Sequence, residues 1–464
     1  MIRLFRVFVP VSVLALLVSE ILLSAAAFIA ATYIVLQVDP TVYLLYDWGL
    51  LRISLVVLTI VIGLHFQDLY SRIRVKSRVV LLQQLSVVIG AALLVQGLIS
   101  YVDSDLSAPL QVMLLGCPMT LAAIFLWRVF FSAYALPAMG RDRLLLVGDS
   151  PVLEELGEYV AAHGELGLQV AGHVRDMDED RGAGLRGAAA PGRVSFLRAV
   201  AEATKPQRVV VGVRDVHSAA LIDELLELRF AGYGIEEAAG AYEKILGRVS
   251  IRELRPSQLI DSGELGPRPQ NVFYQTLLNT ALAAAGLAVA APLMAITALA
   301  VRFSSSGGVL SRHVRVGLNG VPFTRYKFRS MSAEAEAASG GSWASGDDAR
   351  LTRVGRIIRR FRLDELPQLF NVVRGEMSLV GPRPERPEFV EALSAHLAYY
   401  RQRHYVRPGI TGWSQIQYQG SGGPEDSVRK LEYDLYYVKN MSVSLDIFIL
   451  FHTIKFIVFS RGAQ

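Results

Sequence analysis

Four apolar runs, residues 6–36, 49–66, 79–100 and 109–131, restrict this 464-residue chain more than any other feature. Each nears or exceeds the roughly 20 residues that carry a helix across a bilayer, so four transmembrane helices are expected. The overall balance agrees, because 52% hydrophobic and only 19% charged residues are too apolar for an ordinary soluble chain. Arg3 and Arg6 precede the first run, Arg72, Arg74, Lys76 and Arg78 separate the second from the third, and Arg141 and Arg143 follow the fourth. The other two loops carry Asp39, Asp47, Asp103 and Asp105. Basic loops stay on the cytoplasmic side, which places both ends of this bundle there. No small-residue cleavage site follows the first run, so it is expected to remain as a span. Glu20 lies midway along that run, where an ionisable group is costly. A buried structural role and a coupling role towards a partner are both open for it.

The net charge of +5 does not point to nucleic acid, since the basic residues cluster beside apolar segments and no stacking-aromatic module is present. The single cysteine, Cys117, sits in an apolar run, which excludes an intramolecular disulfide and argues for a small buried hydrophobe.

From Arg143 the pattern changes to RLLLVGDSPVLEELGEYV, a short apolar strand, a glycine turn and a helix. Strand-like runs recur at 168–174 and 208–213, with helical stretches around 196–203 and 219–230, which predicts a parallel α/β domain over 141–265. Its turn carries Gly148 where a dinucleotide site wants G-x-G-x-x-G, so a structural or regulatory Rossmann-like domain is the expectation. The Gly- and Ala-rich stretch 176–193 reads as a mobile loop.

The fifth apolar run, residues 272–301, is too long for a simple span. As a straight helix it would reach about 45 Å against a hydrocarbon core of roughly 30 Å, and Pro292 interrupts it. Arg268 precedes it and Arg302, Arg312 and Arg315 follow it, so a helix that enters, kinks at Pro292 and leaves on the same side satisfies the charge bias. After Ser332 a small-residue loop, AEAEAASGGSWASGDD, has the length of a disordered segment or a lid. Arg350, Arg353, Arg356, Arg359 and Arg360 then alternate with Leu351, Val354, Ile357, Ile358 and Phe361, a basic amphipathic helix suited to an anionic membrane surface. The last run, 445–459, contains Asp446, His452 and Lys455 and is expected to pack on the membrane surface or on the catalytic core.

Chemistry concentrates in RRFRLDELPQLFNVVRGEMSLVGPRPE, residues 359–385. Asp364 and Glu365 are adjacent carboxylates inside a run of arginines, an arrangement suited to something both anionic and metal-bound, such as a nucleotide diphosphate with Mg²⁺. The alternative is that both acids merely open a helix and complement its dipole. Around this stretch lie RVGLNGVPFTRYKFRSM (315–331), RPGITGWSQIQ (407–417) and KLEYDLYYVKNMS (430–442).

In this order, these segments resemble the polyprenyl-phosphate hexose-1-phosphate transferases, bacterial enzymes that start exopolysaccharide, capsule or O-antigen units. The likeness is close over about the last 190 residues; the four apolar runs and the α/β middle resemble the family's long form more loosely. It implies a membrane protein of α and α/β class, with a four-helix transmembrane bundle (1–140), the Rossmann-like domain (141–265) and a mostly helical monotopic catalytic domain (266–464) with re-entrant helix 272–301. The implied reaction moves hexose-1-phosphate from a UDP-sugar to undecaprenyl phosphate and releases UMP. Asp364 would be the nucleophile and Glu365, with Asp364 beside it, would hold Mg²⁺. Where the family usually has Ser before the kink proline, this chain has Ala291. Lys327, Arg329, Arg383 and Arg407 are candidates to grip phosphates, or to form structural pairs; Asn371 and Gln415 could bond sugar or phosphate, or hold loops together. A homodimer is also expected.

A membrane-bound nucleotide-sugar dehydratase or epimerase could share the first two regions, but needs a dinucleotide glycine loop and a Tyr with Lys four residues on, and no tyrosine here has that partner. A non-enzymatic scaffold for polysaccharide assembly would leave the carboxyl-terminal motifs unexplained.

Overall fold

A computed structural model describes residues 2–4, 7–36, 39–70, 73–75, 77–140, 142–175, 195–212, 219–252, 269–304, 307–331, 351–418, 420 and 424–459. Arg6, Arg72, Lys76, Arg141, Arg268 and Arg350, the stretch 176–193 and the loop 333–348 lie outside the described residues. The chain forms two compact units, Phe8–Ala238 with Met1–Arg3, and Ala239–Gln464 with Leu4–Val7. The second unit therefore begins before residue 266, where the sequence reading starts its catalytic domain.

In the first unit the four apolar runs form helices α1 (Val11–Val35), α2 (Gly49–Phe66), α3 (Arg78–Val102) and α4 (Leu110–Phe130). They meet around one core that includes Phe28, Val56, Ile60, Leu85, Ala92 and Val112. Their other faces expose Leu22, Ile34, Leu94 and Leu114, apolar surface that water does not satisfy and lipid does. With Val272–Ser304, five stretches of helix among the described residues are long and apolar enough to cross a membrane, and the chain is a membrane protein. Glu20 is fully buried and meets the buried Arg128 of α4 at 2.6 Å, while a second Arg128 nitrogen donates to the Leu69 carbonyl at 2.9 Å. The structure therefore gives Glu20 the structural reading, as half of a paired charge.

The same unit carries a four-stranded parallel sheet of β1 (Asp142–Val147), β2 (Leu168–Val174), β3 (Arg208–Val211) and β4 (Gly234–Glu237), in the order β2-β1-β3-β4. Leu144 to Val147 are all buried, as a central strand covered on both faces requires. Gly148, at a φ of 115°, turns the chain out of β1, and the Ser150 hydroxyl accepts from the Val152 amide to cap α5 (Pro151–Ala162). Helices α6 (Ser195–Thr204) and α7 (Ala219–Phe230) complete the alternation.

The second unit opens with α8 (Ala238–Leu246) and the 36-residue α9 (Pro269–Ser304), which contains Pro292. An antiparallel hairpin follows, β5 (Leu310–Val316) with β6 (Pro322–Phe328). Then come α10 (Arg353–Arg360), α11 (Gln368–Val373), β7 (Ser378–Val380), α12 (Pro387–His396), β8 (Gly409–Thr411), α13 (Trp413–Gln417), α14 (Pro424–Asn440) and α15 (Val443–Phe459). Trp413 stacks on Tyr436 at 5.6 Å between ring centroids, and Leu435, Leu445 and Ile449 join the same core. The final apolar run thus packs on this unit's own core.

Helix α9 lies along the same unit on both sides of Pro292. Before it, Gln275 donates to the Asp446 carboxylate at 2.9 Å and Ala283 packs on Val372 and Met377. After it, Val301 packs on Phe328 and Ile358. The buried Asp446 carboxyl is pushed up to about 7 by desolvation, against hydrogen bonds from Tyr437, Gln275 and Asn279.

Candidate active site

The Asp364-Glu365 pair sits on a 3-10 turn, Leu363–Glu365, ahead of the α-helix that the alternative reading has the two acids open. Helix α10 ends at Arg360 and Arg362 takes a left-handed conformation, φ 53° and ψ 23°, which redirects the chain just before the two acids. A non-glycine residue held there costs about 1–2 kcal/mol, and such backbone is typical of sites where a side chain must be aimed. Both carboxylates then converge on one ammonium. Lys327 Nζ on β6 lies 2.8 Å from Glu365 Oε1 and 3.3 Å from Asp364 Oδ2, with all three side chains mostly buried.

Burial alone would raise the Glu365 carboxyl, but Lys327 first, then Arg383 and Arg362, hold it down at about 2. Arg362 stands 3.6 Å from its other oxygen. Glu365 is therefore a fixed anion across the physiological range, a weak base but a suitable cation ligand. Beside it opens a cavity of about 190 Å³, whose lining includes the polar Arg362, Glu365 and Gln415 and the apolar Leu366, Leu369 and Ile410.

Arg383 is presented by the Gly-Pro-Arg-Pro loop, which is braced from below. The Gly381 amide donates to Thr411 O and the Gly409 amide to Pro382 O, each at 2.9 Å. A Cβ on Gly381 would lie 2.3 Å from Arg407 O, and one on Gly409 2.1 Å from the Gly381 nitrogen, so the loop and the Arg407-Pro408-Gly409 segment pack backbone against backbone. Arg383 Nη1 reaches Gln415 Oε1 at 3.4 Å. Its carbonyl accepts from Arg403 Nη2 at 3.0 Å, and Arg403 is itself paired with Asp434 at 2.7 Å and bonded to the Tyr400 hydroxyl.

Asp364, Glu365, Lys327, Arg383 and Gln415 thus come together around the turn and its cavity. The remaining sequence candidates are placed otherwise. Asn371 is fully buried, accepts from the Tyr326 amide and donates to Thr324 O and to Glu376, so it fastens α11 to β6. Arg329 is buried with a nitrogen 3.5 Å from the Val301 carbonyl near the end of α9, and Arg407 donates to the Thr276 hydroxyl on the same helix at 2.7 Å. Pro292 lies in α9, outside this cluster. The sequence reading missed Arg403 and Asp434, whose roles need a contact between α14 and a loop distant in sequence. It also missed Arg325, whose signal was present as strand alternation with Lys327.

Residues 270–460 match the family described as bacterial sugar transferase. A UDP-glucose:undecaprenyl-phosphate glucose-1-phosphate transferase of Caulobacter vibrioides is 37% identical over 218 residues, 46% of this chain and 80% of that protein. The chain belongs to the bacterial sugar transferase family. The chain is 41% identical over 222 residues to a UDP-N-acetylgalactosamine-undecaprenyl-phosphate N-acetylgalactosaminephosphotransferase of Aeromonas hydrophila, across 48% of this chain and 52% of the other. It is 46% identical to an undecaprenyl-phosphate glucose phosphotransferase of Komagataeibacter xylinus, across 49% and 42%. The chain spans about half the length of these last two relatives, and the family match, residues 270–460, includes the Asp364 turn.

Among the described residues no group of three or more metal-ligating side chains occurs. Two adjacent carboxylates, one firmly ionised, are nevertheless the donor set by which Mg²⁺ is usually held when substrate phosphates and water complete its shell, and Lys327 Nζ shows that a cation bridges them readily. The residues fit the ion.

Proposed function

We propose that this sugar transferase moves a hexose-1-phosphate from a UDP-sugar to undecaprenyl phosphate, releasing UMP, as the first membrane step of exopolysaccharide, capsule or O-antigen synthesis. The observation that carries the reading is the Asp364–Glu365–Lys327 cluster, two carboxylates on one ammonium beside a cavity, within the part of the chain that the family covers. An Asp364 oxygen attacks the β-phosphorus of the donor, the bond to the bridging oxygen breaks, and UMP leaves with that electron pair. The sugar phosphate is then held on Asp364 as an acyl phosphate. An oxygen of the lipid phosphate attacks the same phosphorus, and the Asp364 carboxylate is released. Glu365, held at about 2 by Lys327, stays anionic and suits a cation ligand, while the choice of Asp364 as nucleophile follows the family resemblance. Mg²⁺ held by Glu365 and Asp364 would offset diphosphate charge. The apolar wall of Leu366, Leu369 and Ile410 suits the first units of a prenyl chain. Detergent-purified protein incubated with undecaprenyl phosphate and a panel of UDP-sugars should release UMP with at least one of them; release with none, from folded protein, would reject the reading.

The same proposal takes α1 to α4 as a transmembrane bundle, residues 142–237 as a Rossmann-like domain, and α9 as re-entrant from the cytoplasmic face of the inner membrane, in a homodimer. What supports the re-entrant reading is that α9 packs on one compact unit both before and after Pro292. Gln270, in the first turn of α9, and Val321, after the strand that follows α9, are exposed, so cysteines placed there should both resist an impermeant thiol reagent in intact cells and both react after lysis. Labelling of Val321→Cys alone in intact cells would show a crossing helix.

A further inference from the structure

Lys327 is the obvious phosphate ligand on β6, yet its ammonium is already shared by two carboxylates. Two residues earlier, Arg325 stands on the same face of the strand, about 7 Å along it. Arg325 is 7% exposed, and among the described residues neither a hydrogen bond nor an ion pair reaches its guanidinium, whose Nε is buried without an acceptor. Directly across the hairpin is His313, and the next residue on that face of β5 is Arg315, whose Nε is likewise buried without an acceptor.

The charges around Arg325 do not neutralise it. Desolvation first, then Arg315 and Arg383, push its guanidinium down to about 9, with Glu365 and Glu385 opposing from beyond ion-pair distance. It stays protonated at neutral pH. Desolvation first, then Arg325, Arg315, Arg386 and Lys327, hold the His313 imidazole at about 4, so it adds no charge. An unpaired buried cation lowers stability unless an anion joins it, and a guanidinium's planar fork matches phosphate oxygens in pairs.

We propose that Arg325, with Arg315 beside it, forms a phosphate-binding subsite one strand repeat from Lys327, built to receive a substrate phosphate while Lys327 stays with the two carboxylates. The assignment rests on the sugar-transfer reading for which phosphate arrives, the donor's diphosphate or the prenyl phosphate, but not for the anion site itself. Full-length protein in detergent, as wild type and as Arg325→Met, should be melted alone and titrated with inorganic pyrophosphate, UDP and farnesyl phosphate. Arg325→Met should melt no lower than wild type without ligand, because an unpaired charge has been removed, and should bind pyrophosphate about 10- to 100-fold more weakly. Arg325→Lys should fall between them, keeping the charge and losing the fork. A matching loss for UDP alone assigns the donor, and for farnesyl phosphate alone the acceptor. A lower melting temperature of the unliganded variant, or unchanged pyrophosphate affinity, would overturn the subsite. Because pyrophosphate needs no turnover, failure of sugar transfer would be seen separately.

Discussion

Asp364→Asn is expected to abolish sugar-phosphate transfer, a loss on the order of 10⁴-fold or more, with the protein still folded. Asn keeps the shape of Asp, and Lys327 retains its shorter contact to Glu365, so the turn after Arg362 has little reason to move. What disappears is the anionic oxygen that would form the bond to phosphorus. Glu365→Gln should also lose activity, but through weaker cation binding that raised Mg²⁺ partly restores. Radiolabelled UDP-sugar given to wild type without lipid acceptor should leave label on Asp364, and Asp364→Asn should carry none. Robust UMP release by Asp364→Asn would sink the covalent route and favour direct attack by the lipid phosphate. The pH profile adds a check. Glu365 is depressed from 4.5 to about 2, so the stability it contributes is present above pH 4.5 and lost only as pH falls through about 2. A drop in activity near pH 6 would therefore have to come from another group.

How legible these features were in the sequence depends on how local their physics is. The apolar runs became α1 to α4 within a few residues of their expected ends, because a continuous apolar stretch of that length has few alternatives to a buried or lipid-facing helix. Asp364 and Glu365 were legible as a pair, but their aim was not, since it depends on the left-handed Arg362 and on a lysine 37 residues earlier. Glu20 could be recognised as costly, yet its partner Arg128 lies 108 positions away and only the packing of α1 on α4 joins them. Asn371 shows the opposite case. An amide inside a chemical motif suggested substrate, whereas among the described residues it bonds to the backbone of Thr324 and Tyr326 and to Glu376. Arg325 was the recoverable miss, because the period-two alternation Phe323, Arg325, Lys327 places it on the face of Lys327 once residues 322–328 are taken as a strand.

The second large effect is expected from the pair behind the Arg383 loop. Arg403 and Asp434 are both buried, meet at 2.7 Å, and are tied on to the Tyr400 and Ser414 hydroxyls. Asp434→Leu leaves the Arg403 guanidinium buried and without its carboxylate, which should destabilise the second unit by about 3–5 kcal/mol. Arg403→Met should do the same to Asp434. Combining the two removes both charges, so the double variant should recover much of the lost melting temperature, the non-additivity expected of groups that share one interaction. Activity should not recover with it. Arg403 Nη2 also holds the Arg383 carbonyl at 3.0 Å, and neither leucine nor methionine can donate there, so the guanidinium that faces Gln415 loses its anchor in every variant lacking Arg403. The measurement is a thermal melt and a UMP-release assay on the two single variants and the double. Recovered stability with activity still depressed, and with KM for the UDP-sugar raised, would make the pair a positioning device for Arg383. If activity returned together with stability, the pair would serve folding alone.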